Sequence, residues 1–419
     1  MLKFVLLLGV YCSVLSSWSQ RNLTSDAKNV TEVLCSPLME GRGYVNDGCN
    51  NAGNYLLQEF ERIGLAPLNG YTKQSFYVNV NRFPGACKIK IRGHKKAPGI
   101  DYLIHPSSAS YHGKLSFIGM SAAEILSLPF HSATPKQAIA FIQPKQISRD
   151  TLRMVRSKLE KLARVEFPVV EFTRDKLTWS VSPEQFKAPY IQVFDTSERV
   201  LTKSIKIKLE AELIENYEVS NILGLVASKQ PSDSFILVSA HYDHLGRMGK
   251  NTYFPGANDN ASGVAMLLSL AKEIKQQPLQ NHHVLFIAFA GEEIGLEGSQ
   301  FFVNQHILGS EQISCVLNLD IMGSGEEGIT VVNGAIHKAL FQRLLDLNEH
   351  TQSVPVIKPR GKAANSDHYP FSEAGIPAIF IYTMGPNKNY HDIHDKASAL
   401  SFDRFDQLHY LLLRFIQSF

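Results

Sequence analysis

The stretch that decides the fold runs from Phe235 to Glu293 and reads FILVSAHYDHLGRMGKNTYFPGANDNASGVAMLLSLAKEIKQQPLQNHHVLFIAFAGEE. It contains two apolar runs, residues 235–240 and 284–290, which are rich in Val, Ile, Leu and Phe. Because turn residues bound both runs, they predict buried strands of a parallel sheet. Between them, apolar residues recur at helical spacing over residues 261–275. The stretch therefore predicts a strand–helix–strand unit with a long loop after the first strand.

Polar side chains cluster where each of these strands ends. His241 and Asp243 follow the first strand, and Glu292 and Glu293 follow the second. Asp259 lies in the loop between them. In an open α/β sheet the carboxyl ends of the strands form the ligand crevice. A His, a loop Asp and a Glu that converge there are ligand types that suit zinc.

Two further segments complete the set of candidate ligands. The apolar run 313–319 ends in Asp320, and the run 376–382 is followed by a loop that carries Tyr390 and His391. Two His, two Asp and one Glu are enough to hold two zinc ions with one carboxylate bridging them. Two metal ions about 3.5–4 Å apart can hold both an attacking water and a substrate carbonyl oxygen. Glu292 would then be free to take a proton from that water.

Five motifs carry a resemblance to a known family. In chain order they are HYD (241–243), GANDNASG (256–263), AGEEIGLEGS (290–299), NLDIMG (318–323) and YHDIHD (390–395). Together they resemble the di-zinc exopeptidase family, metallopeptidase family twenty-eight, which includes bacterial secreted aminopeptidases and glutamate carboxypeptidase II. The resemblance implies an α/β phosphorylase/hydrolase-like fold, in which helices flank a mixed sheet with a parallel centre. It also implies an inserted β-rich domain like the protease-associated domain.

The resemblance also implies roles for individual residues. The expected zinc ligands are His241, Asp259, Glu293, Asp320 and His391. His241 would bind one zinc and His391 the other, with Asp259 between the two ions. Glu292 would be the general base. The family also implies a cis peptide bond between Asp259 and Asn260.

Neighbouring residues are expected to support these ligands. Asp243 is expected to accept the second ring N–H of His241, because residues i and i+2 of a strand point to the same side. Asp367 either orients His391 or belongs to a structural turn. Tyr390 either donates its phenol to an oxyanion or packs beside the site.

Two other histidines lie next to the motifs. We expect His244 and His394 to support the site from outside the ligand set or to lie on the surface.

Length and composition describe an ordinary globular protein with several domains. The chain has 419 residues, 44% hydrophobic residues and a formal net charge of +3, so no nucleic-acid partner is expected. Residues 20–83 and 213–419 are assigned to the peptidase domain. Residues 84–212 have short alternating strands and are assigned to the insert. In it, the basic run KIKIRGHKK (88–96) is interpreted as the solvated face of a strand.

The N-terminus and the cysteines indicate an exported protein. Residues 1–19 combine Lys3, an apolar run and a small-residue cleavage site, which is typical of a secretory signal. The apolar run is too short for a membrane span, so we expect a secreted or periplasmic protein without stable membrane insertion. The remaining cysteines form no CxxC pair, so we do not expect cysteine-ligated zinc. A disulfide between Cys35 and Cys49 stays open.

Two functions remain in competition. The first is an exported zinc exopeptidase, in particular an aminopeptidase that acts on peptides. The alternative is a glutaminyl cyclase-like enzyme with one zinc, or a binding relative without metals. The substrate depends on pocket walls that we expect from the insert and from loops near Arg360 and Pro386.

Overall fold

The computed structural model describes residues 23–128, 137–195 and 204–419. The predicted secretory signal, residues 1–19, lies outside the described residues. The helices of the described part are α1 (Leu23–Leu34), α2 (Gly48–Ile63), α3 (Ala122–Ser127), α4 (Arg149–Arg164), α5 (Ser262–Gln276), α6 (Glu297–Asn304), α7 (Lys338–Thr351), α8 (His368–Glu373) and α9 (Phe405–Gln417).

The strands of the described part build two large sheets and one small hairpin. They are β1 (Lys73–Arg82), β2 (Cys87–Ile91), β3 (His94–Lys95), β4 (Tyr102–Ile104), β5 (Tyr111–Met120), β6 (Gln137–Ile142), β7 (Val169–Thr173), β8 (Tyr190–Phe194), β9 (Ser204–Leu209), β10 (Glu212–Val226), β11 (Phe235–His241), β12 (Gly246–Arg247), β13 (Tyr253–Phe254), β14 (His283–Phe289), β15 (Ile313–Leu319), β16 (Gly328–Val332), β17 (Ile357–Pro359) and β18 (Ala378–Met384).

The first large sheet is mixed, with a parallel centre. Its strand order is β1-β10-β14-β11-β15-β18-β16-β17. The central strands β14, β11, β15 and β18 pair in parallel, whereas β10 and β16 join them antiparallel. The central strands are buried along nearly their whole length, as expected for apolar runs covered on both faces. The predicted α/β fold with a mixed sheet flanked by helices is confirmed.

Helix α5 is the main support of this sheet on one face. Its side chains from Ser262 to Ala271 are all buried, and it contacts β11, β14 and β15 as well as α1, α2 and α9. The predicted helix over residues 261–275 is therefore found with a shift of one residue at each end. The predicted strand 376–382 instead spans Ala378–Met384, since Pro377 has no N–H for the sheet.

The second large sheet is built from residues 87–209. Its strand order is β3-β2-β9-β5-β6-β7-β8-β4, and it has its own apolar core. The chain leaves the first sheet after β1 and returns in β10, and these two strands pair with each other. Residues 87–209 are therefore inserted between two neighbouring strands of the first sheet. The likeness of this unit to a protease-associated domain stays a prediction.

One helix of the second unit was not predicted. The short α3 begins after Ser121, whose hydroxyl accepts the N–H of Glu124 while the Glu124 carboxylate accepts the N–H of Ser121. This reciprocal pair is a capping box, so the sequence SxxE contained a signal for it.

The four cysteines of the described part, Cys35, Cys49, Cys87 and Cys315, are buried free thiols. The pairing of Cys35 with Cys49 that the sequence left open is therefore not formed here. Among the described residues, no helix combines the length and the apolar character that a membrane span requires.

Candidate metal centre

Five predicted ligands lie at the carboxyl ends of the parallel strands. His241 is the last residue of β11, Glu293 follows β14, and Asp320 follows β15. Asp259 lies in the turn that leads into α5, and His391 lies in the loop after β18. Since β14, β11, β15 and β18 are neighbours in the sheet, their ends converge at one edge. The fold thus brings together residues up to 150 positions apart, because His241 and His391 differ by that number.

The ligand atoms form two groups that share Asp259. In the first group, His241 Nε2 lies 3.4 Å from Asp259 Oδ1 and 3.5 Å from Asp320 Oδ2. In the second group, His391 Nε2 lies 3.0 Å from Asp259 Oδ2 and 3.4 Å from Glu293 Oε2. The two oxygens of one carboxylate therefore face two different histidines, which is the arrangement of a bridging ligand.

Three of these four spacings, at 3.4, 3.5 and 3.4 Å, are longer than a good hydrogen bond and fit two ligands of one zinc ion. Two atoms bound to one tetrahedral zinc ion at about 2.0–2.1 Å lie about 3.3 Å apart. His241 Nε2 and Asp320 Oδ1 are both buried, yet neither has a hydrogen-bond partner among the described residues. A buried polar atom without a partner is costly, and a bound cation would remove that cost. The donor set of imidazole and carboxylate is one that zinc takes.

His244 is a residue whose position the sequence left open. It is fully buried, and its Nδ1 lies 2.7 Å from Glu293 Oε1. Ligand atoms of His244, Asp259 and Glu293 all lie within 4.8 Å of one another, so this histidine is a geometric competitor of His391. We favour His391 as the ligand because its Nε2 faces both carboxylates, whereas the contact of His244 with Glu293 is a direct hydrogen bond. His394 is exposed.

The electrostatics of the centre follow from burying many carboxylates together. Burial raises the pKa of Glu292 well above its ordinary value, and the neighbouring Glu293, Asp367 and Asp320 raise it further, against His241. Burial also raises the pKa of Asp320. Burial opposes ionisation of Asp259, but its contacts with His241 and His391 outweigh it and hold the pKa well below the usual range. The centre therefore contains more carboxylates than histidines, which favours a cation.

Asp243 takes a different position from the one predicted. Its carboxylate Oδ1 lies 3.9 Å from His241 Nδ1, and that ring nitrogen is closer to the backbone oxygen of Asp243, at 3.2 Å. The carboxylate instead accepts the N–H groups of Glu292 and Glu293 at 3.1 and 3.2 Å, and the hydroxyl of Tyr44 at 3.1 Å. The alternation of a strand no longer holds here, because β11 ends at His241. Asp243 thus positions the Glu292–Glu293 segment.

Asp367 does not orient His391. It is fully buried, its neighbours include His241, Asp243 and Asp320, and neither carboxylate oxygen has a hydrogen-bond partner of good geometry. Burial raises the pKa of Asp367 to about 7. His391 Nδ1 instead lies 2.8 Å from the backbone oxygen of Trp179.

Two supporting residues were not predicted. Asp395, the last residue of YHDIHD, accepts the N–H groups of Asn258 and Asp259 with its buried carboxylate. Arg42, in the Gly-rich loop before α2, is fully buried and donates to five backbone oxygens, which include those of Gly256 and Asp259. Both residues hold the loop that carries Asp259.

The peptide bond between Asp259 and Asn260 is cis, as the resemblance implied. The Asn260 side chain donates to the oxygen of Leu319 and accepts the N–H groups of Gly263 and Ile321. It therefore ties the Asp259 loop to the end of β15.

A pocket of about 530 Å³ opens onto the centre. Its lining residues are Ser180, Asp259, Glu292, Glu293, Ile294, Gly295, Leu296, Asp320, Ile321, Arg360, Ala364, Asn365, Phe380, Tyr382, Tyr390 and His391. Carboxylates occupy one part of it, and apolar and aromatic side chains occupy much of the rest. Ser180 comes from the second unit, Arg360 from the loop after β17, and Tyr390 and His391 from the loop that contains Pro386, although Pro386 itself does not line the pocket.

Tyr390 lies at the edge of this pocket. Its ring stacks on His391 with centroids 4.0 Å apart and an interplanar angle of 13°, and 47% of the residue is exposed. Burial of the phenol, together with nearby carboxylates, raises its pKa, so the hydroxyl keeps its proton. The arrangement is compatible with both the packing role and the donor role that the sequence left open.

Comparison with known proteins shows which family the chain resembles. The family model described as Peptidase family M28 matches residues 221–416 of this chain. Aminopeptidase YwaD of Bacillus subtilis (strain 168) is 27% identical over 249 residues, which are 55% of this chain and 51% of that protein. A probable leucine aminopeptidase of Arthroderma otae is 29% identical over 204 residues, which are 47% of this chain and 56% of that protein. The chain thus spans about half the length of these curated relatives.

Solved structures share the fold over a larger part of the chain. BSAP, a zinc aminopeptidase from Bacillus subtilis, has a TM-score of 0.71 at 18% identity, over 94% of both chains. An aminopeptidase from Aneurinibacillus sp. strain AM-1 has a TM-score of 0.63 at 19% identity, over 94% of this chain and 92% of that one. Residues 221–416 are therefore similar to peptidase family M28, and the α/β fold is similar to that of solved aminopeptidases.

Proposed function

We propose that this protein is an exported aminopeptidase that binds two zinc ions and hydrolyses the N-terminal peptide bond of peptides. One observation carries the proposal: the two oxygens of Asp259 face two separate histidine–carboxylate groups at tetrahedral ligand spacing. His241 and Asp320 would hold one ion, and His391 and Glu293 the other. Export is proposed from residues 1–19 alone.

Zinc, when bound, supplies positive charge that polarises a carbonyl group and makes a water molecule easier to deprotonate. The Glu292 carboxylate, which lines the pocket and is not needed as a ligand, takes that proton and passes it to the leaving amine. Its raised pKa favours the first of these transfers, because a carboxylate with a higher pKa is the stronger base. Two of the acidic neighbours that raise this pKa, Glu293 and Asp320, are proposed ligands, so bound cations would lower the pKa of Glu292.

Three other features of this chain support substrate binding. The hydroxyl of Tyr390, which stays protonated, is proposed to donate to the oxyanion that develops on the substrate carbonyl. The carboxylates at one end of the pocket suit the ammonium group of a free N-terminus. The apolar walls suit a hydrophobic side chain, and the relatives named above are aminopeptidases.

The alternative, a glutaminyl cyclase-like enzyme or a binding relative, accounts for fewer of the residues at the site. Two complete histidine–carboxylate groups exceed what one zinc requires, and a binding protein needs no base such as Glu292.

Peptides with modified ends test the proposal directly. We expect the zinc-loaded protein to cleave Leu-Gly-Gly and its C-terminal amide, to leave the N-acetylated peptide intact, and to lose activity with a chelator. Cleavage that requires a free C-terminus and tolerates N-acetylation would instead show a carboxypeptidase. Cyclisation of N-terminal Gln without cleavage of any peptide would show a cyclase.

A further inference from the structure

The outer face of the second sheet carries lysines in register. Lys90 of β2 pairs with Lys95 of β3 on one side and with Lys206 of β9 on the other, and Lys206 pairs with Lys114 of β5. We call these four residues the lysine row. Residues opposite each other in antiparallel strands point to the same face, so the row crosses four strands, about 14 Å at 4.8 Å per strand. All four side chains are exposed.

A second row runs beside the first. Lys88 of β2 pairs with Lys208 of β9, which pairs with His112 of β5. These residues stand two positions from the lysine row along each strand, on the same face of the sheet. The basic run KIKIRGHKK thus contributes an exposed strand face, as predicted. The neighbouring strands β9 and β5 also carry basic side chains on that face.

This arrangement costs stability. Like charges directly opposite each other on neighbouring strands are destabilising. In the part of the chain that the structure describes, none of the four lysines of the row forms a salt bridge within 4.0 Å. In the second row, Lys208 Nζ lies 3.3 Å from Glu210 Oε1. Because these repulsive pairs lower stability, we infer that the lysines serve binding rather than folding.

A concave groove adjoins the row. It has a volume of about 660 Å³, and its lysines are Lys88, Lys90, Lys95, Lys96, Lys208 and Lys250. Lys250 comes from the loop between β12 and β13, so both structural units contribute charge. The lining residues include no arginine and no aromatic residue, and Glu210 is the one carboxylate among them.

We propose that the lysine row and its groove bind an anionic polysaccharide, a linear chain that carries sulfate or carboxylate groups. A concave track favours a linear chain over the flat surface of a bilayer. Single-stranded nucleic acid is disfavoured because its binding sites combine basic charge with aromatic side chains that stack on bases. Lysine is a compact charge without the fixed fork of arginine, so it suits anionic groups of varied geometry. This proposal does not depend on the proposed peptidase activity.

The test uses immobilised heparin as a sulfated probe, neutral dextran as its uncharged counterpart, and the full mature protein. The double variant Lys90→Glu/Lys206→Glu is compared with Lys229→Glu/Lys338→Glu, which changes charge equally at exposed lysines of the other unit. We expect wild type and the control variant to be retained on heparin and not on dextran. The row variant should bind about tenfold more weakly or elute without retention.

A second measurement separates lost binding from lost folding. In the row variant the pairs 90–95 and 206–114 become attractive and only the pair 90–206 stays repulsive, so its thermal unfolding midpoint should equal or exceed that of wild type. Equal retention of the row variant and the control variant would overturn the proposal. So would preferential binding of wild type to phosphatidylserine vesicles or to single-stranded DNA over heparin, or a row variant that unfolds at a lower temperature.

Discussion

Glu292 and Glu293 are adjacent residues with different surroundings. Glu293 contacts His244 and His391, whereas the Glu292 carboxylate lines the pocket and is surrounded by other acids. Both backbone N–H groups are held by the carboxylate of Asp243. The same short segment thus places one carboxylate at the candidate metal centre and one in the pocket.

We predict that Glu292→Gln abolishes turnover and leaves zinc content unchanged. Glutamine keeps the shape of the side chain but accepts no proton at neutral pH, and a general base typically contributes about 10²–10⁴-fold. Steady-state rates and metal analysis of the purified variant check this. Glu297→Gln, at an exposed glutamate five positions away, is the matched control. If the Glu292 variant kept near wild-type rates, another group would be the base. Loss of zinc would make Glu292 a ligand.

At the scale of single residues, the sequence predicted which side chains converge better than it predicted the contacts that hold them in place. His, Asp and Glu at strand ends are restricted by the chemistry of zinc, so they leave a visible pattern. His391 is held by the backbone oxygen of Trp179. Every residue has a backbone oxygen, so nothing in the sequence indicates this contact. The partner proposed for His241 rested on strand alternation, which ends with β11 at that residue.

The segments around the site are joined by contacts between distant elements. Arg42 bridges the loop before α2 to the turn of Asp259, with Nη atoms 2.6 Å from the oxygens of Pro255 and Gly256. Burying a guanidinium is costly, and these five hydrogen bonds to carbonyl oxygens offset the cost.

We predict that Arg42→Met lowers the free energy of unfolding by about 3 kcal/mol or more, since several buried carbonyl groups lose their donor. Denaturant unfolding followed by circular dichroism measures it. Arg62→Met is the matched control, because Arg62 is exposed and forms a surface ion pair with Glu59, worth at most about 1 kcal/mol. Equal midpoints for the two variants would contradict the structural role of Arg42.

The segment between β7 and β8 holds the His391 loop. Trp179 and His391 exchange two hydrogen bonds, from the Trp179 N–H to the His391 oxygen and between His391 Nδ1 and the Trp179 oxygen. Lys176 Nζ lies 2.5 Å from Asp392 Oδ2 and 2.7 Å from the oxygen of Lys388. The indole of Trp179 stacks on Phe254. The inserted unit thereby orients a candidate zinc ligand.

We predict that Lys176→Met weakens the binding of one zinc ion about tenfold, in the range typical of residues that orient a ligand. Lys176→Arg, which keeps the charge, should recover part of the affinity. Competition with a fluorescent zinc chelator measures each ion separately. Lys187→Met, at an exposed lysine of the same unit with a 3.8 Å contact to Glu166, serves as control. Unchanged zinc affinity in the Lys176 variant would show that the contact is structural only.

Elements were predictable where a repeating pattern continued for several turns or residues. The strands β11, β14 and β15 and the helix α5 were found within one residue of their predicted ends. The pairing of β10 and β16, antiparallel to their neighbours, was not predictable because strand direction depends on connections rather than on local pattern.

On the scale of the whole molecule, two sheets meet at one site. The first sheet supplies the five candidate ligands, and the second supplies Trp179 and Ser180 next to them. These contacts join residues more than 200 positions apart, since the hydrogen bond of His391 to Trp179 spans 212 positions. No local feature of the sequence encodes such a contact, so the role of the insert beside His391 required the structure.

The measurement that tests the central claim most directly is the zinc stoichiometry of the folded protein. Native mass spectrometry of the mature chain, stripped of metal and then titrated with zinc, counts the bound ions. We predict two per chain in wild type, and fewer than two when the bridging Asp259 is replaced by Ala. Saturation of wild type at one zinc ion, or at none, would contradict a centre in which Asp259 joins two metal sites.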